Sequence, residues 1–265
     1  MSLEIQDLSV TIAGRRVVDG VSFSLPDGAR LGLIGESGSG KSMTALAVLG
    51  LAPLAAEVTG SIKLNGRELV GLSDRELAGV RGKEVGIVFQ EPATALNPVR
   101  RVGPQITEAI RIHYDVSKAE AAQRAIALAQ RVALPDPEQL VRAYPHQLSG
   151  GQRQRVAIAM AIATGPGLLI ADEPTTALDV TIQAEILELF ADLSRGSGTS
   201  LLFITHDLAL LRSVVDDVVV LADGRVVEQA SVDELITNPR TEITQQFVAA
   251  ARATTWTRPA GDGDE

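Results

Sequence analysis

An α/β architecture, a parallel sheet with crossover helices and an inserted helical segment, follows from three features of the chain. Short apolar, β-branched segments alternate with stretches of helical spacing in both the first and last thirds. Between them, about residues 93–165, the strands give way to helical periodicity alone. And one apolar segment, Arg30–Ile34, runs directly into a glycine cluster that opens a helix.

The elements are read in order. Leu3–Ile12 alternates loosely and is rich in β-branched side chains, as a strand is. Val21–Leu25 reads as a second strand, closed by the turn Pro26-Asp27-Gly28. Met43–Leu51 reads as a buried helix, Ser61–Leu64 and Val85–Phe89 as strands, and Asn65-Gly66 as a turn. The middle holds helices over Ile106–His113, Lys118–Leu134 and Gln152–Ala163, the second built from Ala, Gln, Arg and Leu, which are good helix formers. Leu168–Ala171 is a strand, Thr181–Leu193 a helix, Leu201–Ile204 a strand and Asp207–Val214 a helix. Val218–Leu221 and Arg225–Glu228 form a hairpin around Asp223-Gly224. Thr254–Glu265 is polar and Gly/Asp-rich, the composition of a disordered tail.

Composition narrows the function classes. Apolar residues make up 45% of the 265 positions and aromatics only 3%, so the core is built from Ala, Val, Leu and Ile. A net charge of −9 argues against a general nucleic-acid surface. It leaves room for a local phosphate site, and only Lys41, Lys63, Lys83 and Lys118 are lysines. With no Cys there is neither disulfide nor thiolate metal site, which suits a reducing compartment. The N-terminal residues lack the pattern of a secretory signal, and the longest apolar run, Met43–Ala56, is too short and too interrupted to span a bilayer.

Gly35-Glu36-Ser37-Gly38-Ser39-Gly40-Lys41-Ser42 fits G-x-x-x-x-G-K-S between a strand and a helix. Its glycines let successive backbone N–H groups face phosphate oxygens, and the helix start adds a favourable dipole. Lys41 reaches the β- and γ-phosphates of a nucleoside triphosphate, Ser42 supplies a hydroxyl for Mg²⁺, and Met43 follows on the same helix. Asp172 and Glu173 end the strand Leu168–Ala171. Asp172 suits a Mg²⁺ contact and Glu173 the polarisation of an attacking water. Ser149-Gly150-Gly151-Gln152 forms a second capped helix start of anion-binding type, most simply serving a nucleotide held by another subunit.

With these motifs in place, the chain resembles the ATP-binding cassette (ABC) superfamily over about residues 3–250. The features fall in that family's order: phosphate loop 35–42, Gln90, LSGGQ at 148–152, Asp172-Glu173, Ala177-Leu178-Asp179 and His206. The resemblance implies a P-loop NTPase (RecA-like) mixed sheet core with an antiparallel β subdomain and an inserted α-helical subdomain. It implies a single cassette over 1–253, its core formed by 1–92 and 166–253 and its helical subdomain by 93–165, followed by the tail 254–265. ATP and Mg²⁺ are the implied ligands. Gln90 is implied to contact Mg²⁺ and water and to sense a transmembrane partner. Asp179 is implied to couple two ATP sites, and His206 to hold the γ-phosphate and orient Glu173. His113 and His146 read as ordinary structural histidines.

A narrower resemblance is to the ATPases of dipeptide, oligopeptide and nickel importers. It rests on Gln90–Pro98, Tyr144–Gln147, Asp172–Thr181, Val227-Glu228-Gln229 and Asn238-Pro239. It implies a peripheral protein on the cytoplasmic face of the membrane. Its partners would be a second cassette (identical or related), two permease subunits whose short cytoplasmic helix docks beside Ala93–Pro98, and an extracytoplasmic substrate-binding protein. Two departures stand out. Ile12 occupies the place where many members stack an aromatic on adenine, so apolar contact from Ile12 or Val18 is expected to replace it. The His-Pro-Tyr segment common after Asn-Pro in peptide-importing members is absent, which leaves both peptides and nickel chelates as cargo. A non-transport ATPase, such as a subunit of a phosphonate-degrading complex, is the alternative.

Overall fold

The structure, a computed structural model, describes residues 1–176 and 178–255, with the backbone alone for Pro92, Ala93, Ser197, Thr254 and Thr255. The expected tail therefore lies outside the described residues from 256 onward, while Thr254 and Thr255 continue a helix; Ala177 also lies outside.

The chain begins with β1 (Leu3–Ile12) and β2 (Arg15–Leu25), joined by Ala13-Gly14 with φ of 49° and 78°. Two consecutive left-handed residues make a tight hairpin whose twist matches the strands. β2 begins six residues before the expected Val21 because Gly20, at φ 64°, carries an irregularity through which pairing continues. β3 (Arg30–Gly35) leads through the phosphate loop into α1 (Lys41–Val48). β4 (Ala56–Leu64) and β5 (Arg67–Glu68) turn about Asn65-Gly66, at φ 48° and 77°. α2 (Asp74–Ala78) precedes β6 (Val85–Val88).

The helical middle comprises α3 (Pro92–Ala95), α4 (Val102–Ile106), α5 (Glu108–His113), α6 (Lys118–Arg131), α7 (Pro137–Leu140) and α8 (Gly150–Ala161). The helix expected over Ile106–His113 is α5, which starts at Glu108 because Thr107 leaves helical geometry at φ −98°, ψ 11°, and the short α4 before it was not expected. The buried Thr107 hydroxyl donates to the Gly103 carbonyl at 3.2 Å, so the break leaves that group satisfied. The last third alternates β7 (Leu168–Asp172), α9 (Val180–Ser197), β8 (Ser200–Thr205), α10 (Leu208–Leu211), β9 (Asp217–Ala222) and β10 (Arg225–Ser231). α11 (Val232–Thr237) and α12 (Glu242–Thr255) close it.

The strands form a four-stranded antiparallel sheet, β2-β1-β4-β5, and a six-stranded sheet, β10-β9-β3-β8-β7-β6. In the larger sheet β9, β3, β8, β7 and β6 are parallel and only the edge strand β10 is antiparallel. Every residue of β7 and β8 is buried, as befits parallel strands covered on both faces. One apolar core, including Leu3, Ile5, Leu33 and Ile170, fills the space between the two sheets. The other, including Ile106, Ile158, Phe190 and Phe203, lies under the helices on the opposite face. α8 seats close on β6, since a Cβ at Gly86 would stand 2.1 Å from the Ala161 carbonyl oxygen. No helix among the described residues is long and apolar enough to cross a membrane.

With so few aromatics, one pair does much of the space filling. Phe190 of α9 and Phe203 of β8 are fully buried and meet edge to face with ring centroids 5.6 Å apart. Phe190→Ala is expected to lower stability by about 3–5 kcal/mol, read from the urea unfolding midpoint, and Phe190→Leu by clearly less.

Candidate nucleotide-hydrolysing site

The site forms where β3, β6, β7 and β8 end on one side of the larger sheet, the edge at which parallel α/β sheets hold ligands. A cleft of about 710 Å³ is lined by Val17, Glu36–Gly38, Gly40–Met43, Gln90, Glu173, Thr176, His206 and Phe247. Four separately expected elements therefore meet in one place: the phosphate loop, Gln90, the Asp172-Glu173 strand end and His206.

The phosphate loop is shaped by two left-handed glycines, Gly38 at φ 82° and Gly40 at φ 99°. Lys41 is 4% exposed, and its Nζ donates to the Gly35 carbonyl at 2.7 Å and the Glu36 carbonyl at 2.8 Å. Burial lowers its pKa, opposed by the charges of Glu173 and Asp172. A buried ammonium held by two neutral carbonyls has only partial compensation, so an anionic phosphate is a better partner. Ser39 is buried over Gly35, and its Oγ has no hydrogen-bond partner.

Ser42 Oγ donates to Asp172 Oδ1 at 3.0 Å. Burial pushes the Asp172 pKa up, against the Ser42 hydrogen bond. A hydroxyl beside a buried carboxylate is an oxygen donor pair of the kind that fits Mg²⁺, a cation usually held by one or two protein groups, substrate phosphates and water. In keeping with that sparse set, no cluster of three or more His, Asp or Glu residues among the described residues could hold a metal alone.

Glu173 is the hub of the site. It lies at φ 46°, a left-handed conformation that costs an ordinary residue about 1–2 kcal/mol, with its N–H donating to the Ile204 carbonyl at 2.9 Å. That turn separates its carboxylate from its neighbour's. Its Oε2 accepts from Gln90 Nε2 at 3.1 Å and Thr176 Oγ1 at 3.2 Å, and faces His206 Nδ1 at 3.3 Å. The Glu173 side chain is 14% exposed and that of His206 is 58% exposed. The carboxylate is thus oriented on one oxygen by Thr176 of its own turn and by residues from two other segments, Gln90 and His206.

Other expected residues lie elsewhere. Ile12 packs against the core between the sheets and does not line the cleft, and Val18 is fully buried in that core. Val17, passed over at a register shift in the β1–β2 pairing, lines the cleft instead. None of Ser149, Gly150, Gly151, Gln152 or Asp179 lines the cleft. Ser149 caps α8 reciprocally with Gln152, the Ser149 N–H donating to Oε1 at 2.9 Å and the Gln152 N–H to Oγ at 3.2 Å. A Cβ on Gly151 would stand 2.8 Å from Ile182, so the α8 start rests against the helix that Asp179 caps through its 3.0 Å bond from the Ile182 N–H. His113 donates to the Arg81 carbonyl at 2.9 Å and His146 stacks on Tyr144, both remote from the cleft. Val17, Thr176 and Phe247 are the site residues that sequence reasoning did not single out. Thr176 was signalled by its place three residues after Glu173. Phe247 had only the apolar spacing Ile243, Phe247, Ala251 behind it, which does not say what that stripe faces.

A strand–glycine loop–helix grip on phosphate, with an oriented carboxylate at the end of a strand one place removed in the same sheet, defines a P-loop nucleoside triphosphatase. The family described as ABC transporter matches residues 18–176. The oligopeptide transport ATP-binding protein OppD of Bacillus subtilis (strain 168) is 48% identical over 254 residues, covering 94% of this chain and 71% of that protein. The peptidoglycan transport ATP-binding protein YejF of Agrobacterium fabrum is also 48% identical over 254 residues, but this chain spans only 46% of its length. The dimeric ATP-binding cassette MJ0796, in a post-hydrolysis state bound to ADP and Pi, superposes with a TM-score of 0.77 at 27% identity, covering 87% of this chain and 98% of that one. The chain belongs to the ABC transporter family, and it is an ATPase of the cassette type.

The buried Asp172 carboxylate has a stability consequence. Below its ordinary pKa of 3.8 the carboxyl is protonated in both folded and unfolded states and burial of charge costs nothing. The cost grows as pH rises from 3.8 to the raised native value and is constant above it. Asp172→Asn is therefore expected to raise the melting temperature at pH 7 without added nucleotide, while ATP hydrolysis falls. The gain in melting temperature should shrink toward zero in scans taken progressively nearer pH 3.8.

Proposed function

We propose that this ATPase powers a membrane importer of peptides. The single observation that carries the catalytic part is the convergence of Gln90, Thr176 and His206 on Glu173 Oε2 beside the phosphate loop. Support for peptides as cargo comes from the relatives, which are named for oligopeptide, peptide and peptidoglycan transport. Those names favour transport over the alternative of a phosphonate-degrading complex, and peptides over nickel chelates.

In the proposed mechanism, backbone N–H groups of 36–42 and the start of α1 bind the phosphates, and Lys41 Nζ exchanges its two carbonyl partners for phosphate oxygens. Ser42 and Asp172 would hold Mg²⁺, which when bound would neutralise charge developing on the phosphates. Glu173 accepts a proton from the attacking water, with its carboxylate kept in place by Gln90 and Thr176. His206 steadies Glu173 and the terminal phosphate.

The second half of each site comes from a partner cassette. Ser149–Gln152 and Asp179 lie outside this chain's own cleft, and the related cassette MJ0796 is dimeric. Closure of two cassettes, identical or related, around two ATP molecules would bring each α8 start to the other's phosphates. Residues 93–165 act as the helical subdomain of a single cassette over 1–253 and receive the permease pair, which holds the protein at the cytoplasmic face of the membrane. An extracytoplasmic binding protein delivers cargo to the permease.

Glu173→Gln keeps the shape and removes the base. Turnover should fall by about 10²–10⁴-fold while ATP binding persists and a dimer accumulates in size-exclusion chromatography with ATP. Turnover near that of the unaltered protein would overturn the assignment of Glu173.

A further inference from the structure

Phe247 belongs to none of the sequence motifs, yet it lines the same cleft as the phosphate loop, Glu173 and His206, and among the described residues it is the one aromatic that does. It comes from α12, which packs on α10, and α10 starts two residues after His206. The ring therefore enters the cleft from the His206 side. Its inner face packs on the core beneath the helices, and the rest of it is open to the cleft.

The position of α12 is fixed with unusual care. Glu228 of β10 is 7% exposed, and its carboxylate accepts from the Arg240 N–H at 3.0 and 3.2 Å and from the Thr241 N–H at 3.1 Å. Burial pushes this carboxyl up, but the Thr244 hydroxyl and these backbone bonds outweigh it and hold its pKa below the usual value. Thr244 is itself fully buried, and its N–H donates to Thr241 Oγ1 at 3.2 Å. A buried ionised carboxylate is costly unless satisfied, so this one serves as a rigid anchor between the β9–β10 hairpin and the first turn of α12. One and a half turns further along α12 stands Phe247.

Taking the cleft as the ATP site, we propose that Phe247 is a nucleotide-site residue: its ring is the apolar wall that screens the terminal phosphate and the His206–Glu173 pair from solvent. Affinity in such a site comes from the loop amides and Lys41, polar groups that an apolar ring cannot replace. Exclusion of water strengthens the polar interactions that act on the reacting phosphate. The ring is thus a determinant of turnover more than of binding.

The test uses the full chain with ATP and Mg²⁺. Binding is read by calorimetry, and steady-state hydrolysis separates kcat from KM. Phe247→Ala should lower kcat about tenfold with the ATP Kd within about twofold of the unaltered protein. Phe247→Leu, which restores an apolar wall, should recover most of the loss. Val248→Ala removes a buried contact of the same helix outside the cleft, and should lower the melting temperature but leave kcat in place. The proposal is overturned if Phe247→Ala turns over like the unaltered chain, or if Val248→Ala slows it as much. An unaltered chain that fails to bind ATP would overturn the nucleotide reading of the cleft, and the role of Phe247 with it.

Discussion

The carbonyl of Val17 is the point on which the nucleotide site is built. A Cβ on Gly40 of the phosphate loop would stand 2.8 Å from its oxygen, and one on Gly224 of the β9–β10 turn 2.9 Å from the same atom. The Gly224 carbonyl in turn accepts from the Asp19 N–H at 2.8 Å. The antiparallel sheet, the phosphate loop and the edge hairpin of the larger sheet thus meet at one backbone group, with no room for a side chain on either glycine. Both glycines also have positive φ, at 99° and 77°, so the close approach and the turn geometry demand the same residue. Because the junction fixes β2 against the loop, the Val17 side chain becomes a wall of the cleft.

The hairpin is held to β2 from outside as well. Asp19 accepts from Arg16 Nη1 at 2.7 Å and from Arg225 Nε at 2.7 Å, and these hydrogen bonds, that of Arg16 foremost, keep its carboxyl below the usual range. From the same hairpin β10 carries Glu228, which anchors α12. One edge of the larger sheet therefore positions both the base of the phosphate loop and, through α12, the aromatic wall on the far side of the cleft. Within that frame most polar groups of the site have partners inside the chain, Lys41 two carbonyls, Ser42 Asp172, and Glu173 Gln90, Thr176 and His206, while Ser39 Oγ has none. Their partners are of the sort phosphate and Mg²⁺ replace on better terms, so the grip is preformed without a buried charge left alone.

Much of this was legible along the chain. The phosphate loop, Gln90, Asp172, Glu173 and His206 could be named because each sits at a strand end marked by local chemistry, such as glycines before a lysine or acids after an apolar run. The turns Asn65-Gly66 and Asp223-Gly224 were equally plain, since their left-handed pairs favour those residues. The strand β2 was only half legible, because Arg15, Arg16 and Asp19 break the apolar pattern and Gly20 hides the continuing pairing. The break at Thr107 between α4 and α5 was not legible, since the periodicity carries on through a residue whose hydroxyl bonds the preceding turn.

By itself, the sequence determined the phosphate grip, the acid pair and the order of strands and helices, because these depend on contiguous residues and on backbone preferences that act over a few positions. The tertiary structure decided which apolar residue faces the cleft. Ile12, Val17 and Val18 are near neighbours of similar chemistry, and of the three it is Val17, passed over where the β1–β2 register shifts, that lines the cleft. Likewise a stripe on α12 becomes a wall of the site only when Glu228, far from the phosphate loop in sequence, fixes where that helix lies. Side-chain facing is set by long-range packing, and no local pattern contains it.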